Sequence, residues 1–180
     1  MKKNGKLKKN TAVGTVMTNM GFSKFCEANG IDFVSTKVGD RYVLESMLQN
    51  GYNIGGEQSG HIIFLDHSTT GDGELSGAMV LSIMKRTGEK LSDLAKIMER
   101  YPQVLINVKV SNEGKLSFYT DKEVKAEINR VTEILGDTGR ILVRVSGTEP
   151  LVRVMLEGEN LEQIQTLAEE AAQVVRERLA

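Results

Sequence analysis

The segment with the strongest chemical character is residues 144–150, Arg-Val-Ser-Gly-Thr-Glu-Pro, which is followed by a second arginine on the next apolar run. A phosphate dianion needs cationic charge, hydroxyl donors and unobstructed backbone amides in one concave turn. An arginine can pair with it through two hydrogen bonds, and a glycine lets the backbone approach closely. The candidate phosphate contacts are Arg144, Ser146, Gly147, Thr148 and Arg153.

The same segment also fits a hairpin whose serine, glycine, threonine and proline serve the turn alone. Glu149 is an unfavourable neighbour for an anion, whereas the two arginines favour one. From composition, the turn and the phosphate site are nearly even alternatives.

A second polar segment, residues 55–61, reads Gly-Gly-Glu-Gln-Ser-Gly-His between two β-rich runs. The Glu57 carboxylate offers two oxygens to a pair of sugar hydroxyls, and Ser59 is a short adjustable partner. His61 could carry a proton near neutral pH. The alternative is a tight turn with a solvated glutamate, and it is favoured when this segment is considered alone. Lys37, at the end of a strand, is either a surface lysine or a cation of the site.

The first part of the sequence predicts a partial α/β domain over residues 1–101. Short β-rich runs alternate with amphipathic helices, and Asp40 is predicted to cap one helix. Two runs around residues 55–60 predict a hairpin, and Asp72 is predicted to cap a further helix. The inward faces predicted for the last two helices are Leu75, Met79, Ser82 and Ile83, and then Leu94, Ile97 and Met98.

After Pro102 the pattern restarts, which predicts an α+β domain over residues 102–180. Its order is strand, helix, strand, strand, helix, with a polar turn at residues 111–115. This order predicts a small, mostly antiparallel sheet with both helices on one face. A cleft between the two domains is the expected place for a ligand.

Bulk properties restrict the class of protein. The 180 residues are 40% hydrophobic and carry a formal net charge of −1, which provides no general field for nucleic acid or an anionic membrane. The single cysteine, Cys26, excludes an internal disulfide and a cysteine-rich zinc site, and it suits a reducing compartment. No apolar run approaches the roughly 20 residues that span a bilayer. We therefore expect a cytoplasmic protein without nucleic-acid or membrane partners.

Four segments, in the same order along the chain, resemble the phosphohexomutases, most closely the bacterial phosphoglucosamine mutases. They are Lys-Val-Gly-Asp-Arg-Tyr at 37–42, Gly-Glu-Gln-Ser-Gly-His at 56–61, Thr-Thr-Gly-Asp-Gly at 69–73, and residues 144–150 with Arg153. The resemblance runs the whole length of the sequence. It implies the C-terminal portion of a four-domain enzyme, with a partial third domain that binds the sugar and a complete fourth domain that holds the phosphate.

Carried over residue by residue, the resemblance makes Glu57 and Ser59 contacts to sugar hydroxyls. It places His61 and Lys37 near the reacting hydroxyls, where they would assist proton transfer. The phosphate contacts that it implies are Arg144, Ser146, Gly147 and Thr148, supported by Arg153. The implied reaction interconverts glucosamine 6-phosphate and glucosamine 1-phosphate through a bisphosphorylated sugar, and it supplies UDP-N-acetylglucosamine.

The departures from the family pattern are equally informative. The family uses a phosphoserine in a Thr-Ala-Ser-His-Asn-Pro-like segment and holds Mg²⁺ with an Asp-Gly-Asp-x-Asp-Arg loop, and neither segment occurs in these 180 residues. Phosphoryl transfer depends on positioning and on stabilising a charged transition state. We therefore expect these residues alone to bind a hexosamine phosphate without turning it over. The partners implied are the N-terminal domains of the same enzyme, and a homodimer of the intact enzyme stays open.

Two alternatives remain at this point. The first is a different specificity within the family, phosphomannomutase or phosphoglucomutase, since nothing in the four segments explains selection of a 2-amino group. The second is a short, non-catalytic sugar-phosphate-binding module that uses the same loops.

Overall fold

A computed structural model describes residues 1–180. The chain divides into two compact units, Met1–Arg100 and Tyr101–Ala180. No helix in either unit combines the length and the apolar character that crossing a bilayer requires.

The first unit is built on a four-stranded mixed sheet. Its strands are β1 (Thr11–Thr15), β2 (Asp32–Thr36), β3 (Ile54–Gly56) and β4 (Ile62–Phe64), in the order β2-β1-β3-β4. β1 is parallel to both β2 and β3, whereas β3 and β4 form the antiparallel hairpin that the sequence predicts. The carboxyl ends of three parallel strands therefore meet at one edge of the sheet.

Two helices cover the opposite faces of this sheet. Phe22 of α1 (Met20–Ala28) makes an edge-to-face contact with Phe33 of β2. Helix α2 (Asp40–Asn50) packs on the other face, and Gly51 ends it with a positive φ of 71°. The buried core under α2 consists of Val13, Val43, Met47 and Ile63. The layered α/β prediction is thus confirmed for this unit.

The prediction for the last two helices of this unit was wrong in part. Asp72 does cap α3 (Gly73–Thr87), with its carboxylate accepting a hydrogen bond from the Leu75 amide. No residue of α3 is buried, however, since no other strand or helix packs closely on it. The following helix, α4 (Leu91–Leu94), is a single turn, and Ile97 beyond it is 61% exposed. Apolar spacing indicates a helix face but does not supply a partner for it.

The second unit is an antiparallel sheet with two long helices on one face. Strands β5 (Gln103–Lys109), β6 (Gly139–Val145) and β7 (Leu151–Gly158) lie in the order β5-β7-β6. Helices α6 (Lys122–Leu135) and α7 (Leu161–Leu179) pack against them and against each other. The predicted α+β class is confirmed. The largest buried side chains of this core are Leu135, Leu156, Ile164, Leu179, Val108, Val124 and Val131.

Two local predictions were wrong. The polar turn predicted at residues 111–115 is part of a short helix, α5 (Asn112–Ser117), whose first turn is capped by the Ser111 hydroxyl. Gly114 of this helix lies so close to the Leu179 carbonyl that a Cβ would stand 1.9 Å from that oxygen. Asp40 is the first residue of α2 rather than its cap, because Gly39 occupies the cap position without a side-chain hydrogen bond.

Replacement of Asp121 tests the capping of α6. Its carboxylate accepts a hydrogen bond from the Val124 amide at 3.0 Å and pairs with Arg178 at 3.1 Å, and both contacts lower the pKa of Asp121. Asp121→Ala is expected to lower the free energy of unfolding by about 1 kcal/mol at pH 7, measured by urea denaturation.

The pH dependence of this loss follows from the direction of the shift. A carboxyl whose folded-state pKa is lowered stabilises the fold above its unfolded value of about 3.9, and that contribution disappears as the pH falls through the folded-state pKa. The difference between wild type and Asp121→Ala should therefore shrink as the pH is lowered below 4. A difference that stays constant down to pH 2 would contradict this account of Asp121.

Candidate functional site

The polar segments of the first unit lie at one edge of its sheet. Residues 37–39 follow β2 and residues 57–61 follow β3, so both leave the carboxyl ends of parallel strands. In open α/β sheets, ligands bind at this edge. The strand order thus brings together two segments that are about 20 residues apart in the sequence.

Glu57 ties these two segments together. Its Oε1 atom accepts a hydrogen bond from the Gly39 amide at 2.9 Å, and its own amide donates to the His61 carbonyl at 2.8 Å. The side chain is half-buried. One carboxylate oxygen therefore fixes the loop, and Oε2 has no hydrogen-bond partner within the chain.

His61 lies against the third polar segment, residues 69–73. A Cβ on Gly71 would stand 2.8 Å from Cδ2 of the His61 ring, and the Asp72 amide donates to the Ile62 carbonyl at 3.3 Å. His61 is otherwise exposed. Glycine at position 71 thus lets the imidazole rest on the backbone beside the Glu57 loop.

Gly71→Ala is expected to displace the His61 ring with little effect on stability, because the clashing atom belongs to a side chain that can turn away. Two-dimensional NMR of the imidazole groups would detect the change as a shift of the His61 signal, with His67 as the internal reference. We expect the free energy of unfolding to change by less than about 1 kcal/mol.

Gly77→Ala is the matched control for that experiment, because a Cβ on Gly77 would meet nothing within 4 Å. It should leave both histidine signals in place. An unchanged His61 signal in Gly71→Ala would show that the ring does not rest on Gly71.

The remaining two candidates of this unit are on the surface. Lys37 is exposed, and its Nζ atom lies 5.8 Å from the centre of the Tyr42 ring, within the range of a cation–π contact. Ser59 is exposed at the tip of the hairpin. The structure therefore groups Glu57, Ser59, His61 and Lys37 on neighbouring loops of one sheet edge.

A cavity of about 460 Å³ lies beside these loops, over the sheet face opposite α2. Glu57 and Gln58 are on its lining, but most of its walls are apolar. Its apolar lining comes from Ala12, Phe22, Ile54, Ile62 and Met98. Such walls do not match the hydroxyls of a sugar, so only the part next to Glu57 belongs to the candidate site.

In the second unit, residues 146–150 form the turn between β6 and β7. Ser146 is 4% exposed; its amide donates to the Leu151 carbonyl, and its Oγ atom accepts from the Glu149 amide at 3.2 Å. A hydroxyl that accepts one hydrogen bond still has its own hydrogen to donate. The fold thus holds this hydroxyl in place at the base of the turn.

The tip of the turn carries free donors. Gly147 and Thr148 are exposed, and their amides and the Thr148 hydroxyl have no hydrogen-bond partner in the chain. A Cβ on Gly147 would meet nothing within 4 Å, and its φ is not in the left-handed region. The fold itself does not require glycine there, and the bare backbone leaves space for a ligand to approach the amides.

Two arginines stand directly opposite each other beside this turn. Arg144 of β6 and Arg153 of β7 are a register pair, and on the other side of Arg153 the register partner in β5 is the neutral Asn107. Like charges directly opposite in a sheet are destabilising. Burial, and then the nearby charge of Arg153, lowers the pKa of Arg144. Arg144 has no carboxylate partner in the chain.

Another cross-strand pair on the same sheet face behaves in the opposite way. Four positions before Arg144, Arg140 of β6 is opposite Glu157 of β7, and the two form an ion pair at 2.7 Å with Glu157 fully buried. The sheet therefore pairs one arginine with an acid and leaves Arg144 facing another cation. A bound anion would balance the charges of Arg144 and Arg153.

Sequence reasoning missed two contacts of this turn. The Glu149 carboxylate pairs with Arg153 at 2.6 Å, and Lys115 donates from its Nζ atom to the Glu149 carbonyl at 3.0 Å. The first contact could have been predicted from the hairpin, because its short turn brings Glu149 near Arg153. The second contact joins α5 to a loop 34 residues away, and no local pattern indicates it.

A metal site is not part of this arrangement. No group of three or more His, Cys, Asp or Glu side chains is placed to hold a metal ion. The magnesium ligands that the family resemblance implies belong to a loop that these 180 residues do not contain.

Both units match models of one protein family. Residues 1–101 match the phosphoglucomutase/phosphomannomutase α/β/α domain III, and residues 105–174 match the C-terminal domain of the same family. The chain belongs to the phosphoglucomutase/phosphomannomutase family. The resemblance noted in the sequence is therefore confirmed at the level of the family.

Curated relatives narrow the similarity within this family. The chain is 54% identical over 179 residues to the phosphoglucosamine mutase of Caldanaerobacter subterraneus subsp. tengcongensis and 52% identical over 180 residues to that of Clostridioides difficile. These alignments cover 99% and 100% of this chain and 40% of each relative. The chain thus spans about 40% of the length of the curated relatives it matches.

Solved structures share the fold at low sequence identity. A structure of the N-acetylphosphoglucosamine mutase of Aspergillus fumigatus superposes with a TM-score of 0.82 over 97% of this chain and 39% of that chain, at 20% identity. Another structure of that enzyme, in complex with GlcNAc-6P and magnesium, gives a TM-score of 0.77 over 96% of this chain and 40% of that chain, at 17% identity.

Proposed function

We propose that this chain supplies the substrate-binding part of a phosphoglucosamine mutase, an enzyme that interconverts glucosamine 6-phosphate and glucosamine 1-phosphate. The observation that carries the proposal is the pair of opposed arginines, Arg144 and Arg153, beside a turn with free amides and hydroxyls. Two cations without enough acid partners, together with free backbone donors, match a phosphate dianion. The similarity at 52–54% identity to phosphoglucosamine mutases supports a hexosamine phosphate as the ligand.

The proposed division of labour follows the two units. In the first unit, the Oε2 atom of Glu57 accepts hydrogen bonds from sugar hydroxyls, and the hydroxyl of Ser59 donates to or accepts from them. In the second, Arg144, Ser146, Gly147 and Thr148 hold a phosphate group, supported by Arg153. In the proposed reaction, this turn holds whichever phosphate group of the sugar is not reacting.

His61 and Lys37 are proposed to assist proton transfer at the reacting hydroxyl. Their support is their place on loops next to Glu57, with the exposed His61 ring resting on Gly71. The phosphoserine and the magnesium ligands of the proposed enzyme lie in neither unit, since these 180 residues contain neither segment. In this proposal the chain binds and orients the substrate, and other domains of the same enzyme supply the phosphoryl group.

A cytoplasmic location belongs to the same proposal. Its support is the single free cysteine, Cys26, which is buried and suits a reducing compartment.

A chimera tests the proposed function. The matching 40% of the Caldanaerobacter mutase would be replaced by this chain, and the conversion of glucosamine 6-phosphate to glucosamine 1-phosphate would be measured. We expect the chimera to be active, and we expect its Ser59→Ala form to be less active. A folded chimera that prefers glucose or mannose phosphates, or that turns over none of the three, would contradict the proposal.

A further inference from the structure

Glu149 places a negative charge inside the turn that is proposed to hold a phosphate. Its Oε2 atom lies 2.6 Å from Nη2 of Arg153, and the two side chains are 52% and 30% exposed. It is the only carboxylate that pairs with either of the two opposed arginines. The free site thus already contains an anion of its own.

On one edge of the Arg153 guanidinium lie two nitrogens, Nε and Nη2, and the contact with Glu149 uses only Nη2. Nη2 donates to Glu149, while the neighbouring Nε atom is buried and has no hydrogen-bond partner. A phosphate group can accept from Nε and Nη2 of one guanidinium at the same time. A buried donor without a partner is costly, so exchanging Glu149 for a ligand that reaches both nitrogens is favourable.

The backbone of Glu149 is held independently of its carboxylate. The Glu149 amide donates to the Ser146 hydroxyl, and the Glu149 carbonyl accepts from the Leu151 amide at 2.8 Å. Lys115 of α5 donates to the same carbonyl at 3.0 Å. Because none of these contacts involves the carboxylate, the side chain can leave Arg153 while the turn keeps its shape.

We infer that Glu149 is the resident counter-ion of Arg153 in the free site and that the phosphate group of the ligand displaces it. The inference rests on the proposed function, because it requires this turn to bind phosphate. Its consequence is that Glu149 weakens phosphate binding. A residue that merely holds Arg153 in its binding position would have the opposite effect.

Isothermal titration calorimetry of the 180-residue chain with glucosamine 6-phosphate, at one fixed ionic strength, tests the inference. Glu149→Gln keeps the size of the side chain and removes its charge, so it should strengthen binding by about threefold to tenfold. Glu133→Gln is the matched control, since it changes the net charge equally from an exposed position on α6. It should leave the affinity unchanged.

The Arg153→Ala background separates competition for Arg153 from other effects. Without the arginine there is nothing for Glu149 to occupy, so Glu149→Gln should then give less than half of its gain on a logarithmic scale. Unchanged or weaker binding by Glu149→Gln, an equal gain from Glu133→Gln, or a full gain in the Arg153→Ala background would each overturn the inference. Tight binding by wild type with any of these results leaves the proposed function intact, whereas no binding by wild type rejects both.

Discussion

Arg144→Ala is expected to weaken the binding of glucosamine 6-phosphate to this chain by about 30- to 150-fold, which corresponds to ~2–3 kcal/mol. The reason is that Arg144 is half-buried, faces another cation and has no carboxylate partner in the chain. Its guanidinium is therefore available for a charge-assisted pair with phosphate. Calorimetric titration measures the loss directly.

The stability of the same variant distinguishes a binding role from a structural one. Removing Arg144 relieves the repulsion with Arg153, so the free energy of unfolding should stay constant or rise by a few tenths of a kcal/mol. Arg176→Ala, which removes a half-exposed arginine of α7, is the matched control and should bind as wild type does. Unchanged affinity in Arg144→Ala would remove this turn from the site.

The second large effect concerns the ion pair at the other end of the same sheet face. Arg140→Leu is expected to lower the free energy of unfolding by about 3–5 kcal/mol, because it takes the cation away from a fully buried carboxylate, Glu157. Urea denaturation followed by circular dichroism measures this loss. Arg144→Leu, at the equivalent position of the like-charge pair, should cause no such loss.

A double variant gives the sharper form of that test. Arg140→Leu combined with Glu157→Leu removes both charges and leaves apolar side chains, so it should recover most of the stability lost in the single variant. A double variant as unstable as Arg140→Leu alone would mean that packing, rather than the loss of the Arg140 charge beside the buried Glu157 carboxylate, causes the effect.

The contrast between these two pairs explains how one sheet serves both stability and binding. Successive residues on one face of a strand are two positions apart, so Arg140 and Arg144 point to the same side of β6. The acid opposite Arg140 makes that position part of the fold. The arginine opposite Arg144 leaves the other position with two cations and a single carboxylate, Glu149, and this excess of positive charge is the property expected of a phosphate site.

Elements with strong local signals were predictable from the sequence. Asp72 caps α3 through a side-chain hydrogen bond, as predicted, and Gly51 ends α2 with the positive φ that favours glycine. The strand, strand, helix order predicted for the end of the chain is that of β6, β7 and α7. These signals lie within a few residues of each other, so a single sequence contains them.

The failures arose where a partner far along the chain decides the outcome. The apolar spacing of α3 indicates a helix, but burial requires another element to pack closely on it, and none does within these residues. The short helix α5 depends on the approach of Gly114 to Leu179, 65 residues away. Neither the lack of a close partner for α3 nor the approach of Gly114 to Leu179 leaves a pattern in the local sequence.

The candidate site was also predictable only in part. The chemistry of residues 144–150 was readable from residue types, but the opposition of Arg144 and Arg153 depends on the hairpin register. Likewise, the contact between Glu57 and the Gly39 amide depends on the order of three parallel strands. Sequence therefore indicated which groups could bind a sugar phosphate, and tertiary structure determined which of them meet.

A crystal structure of this chain with bound glucosamine 6-phosphate tests the central claim most directly. The account predicts phosphate oxygens within hydrogen-bond distance of the Arg144 guanidinium and of the Gly147 and Thr148 amides, with the Glu149 carboxylate moved away from Arg153. A phosphate group bound elsewhere on the chain, with the pair of Glu149 and Arg153 intact, would contradict it.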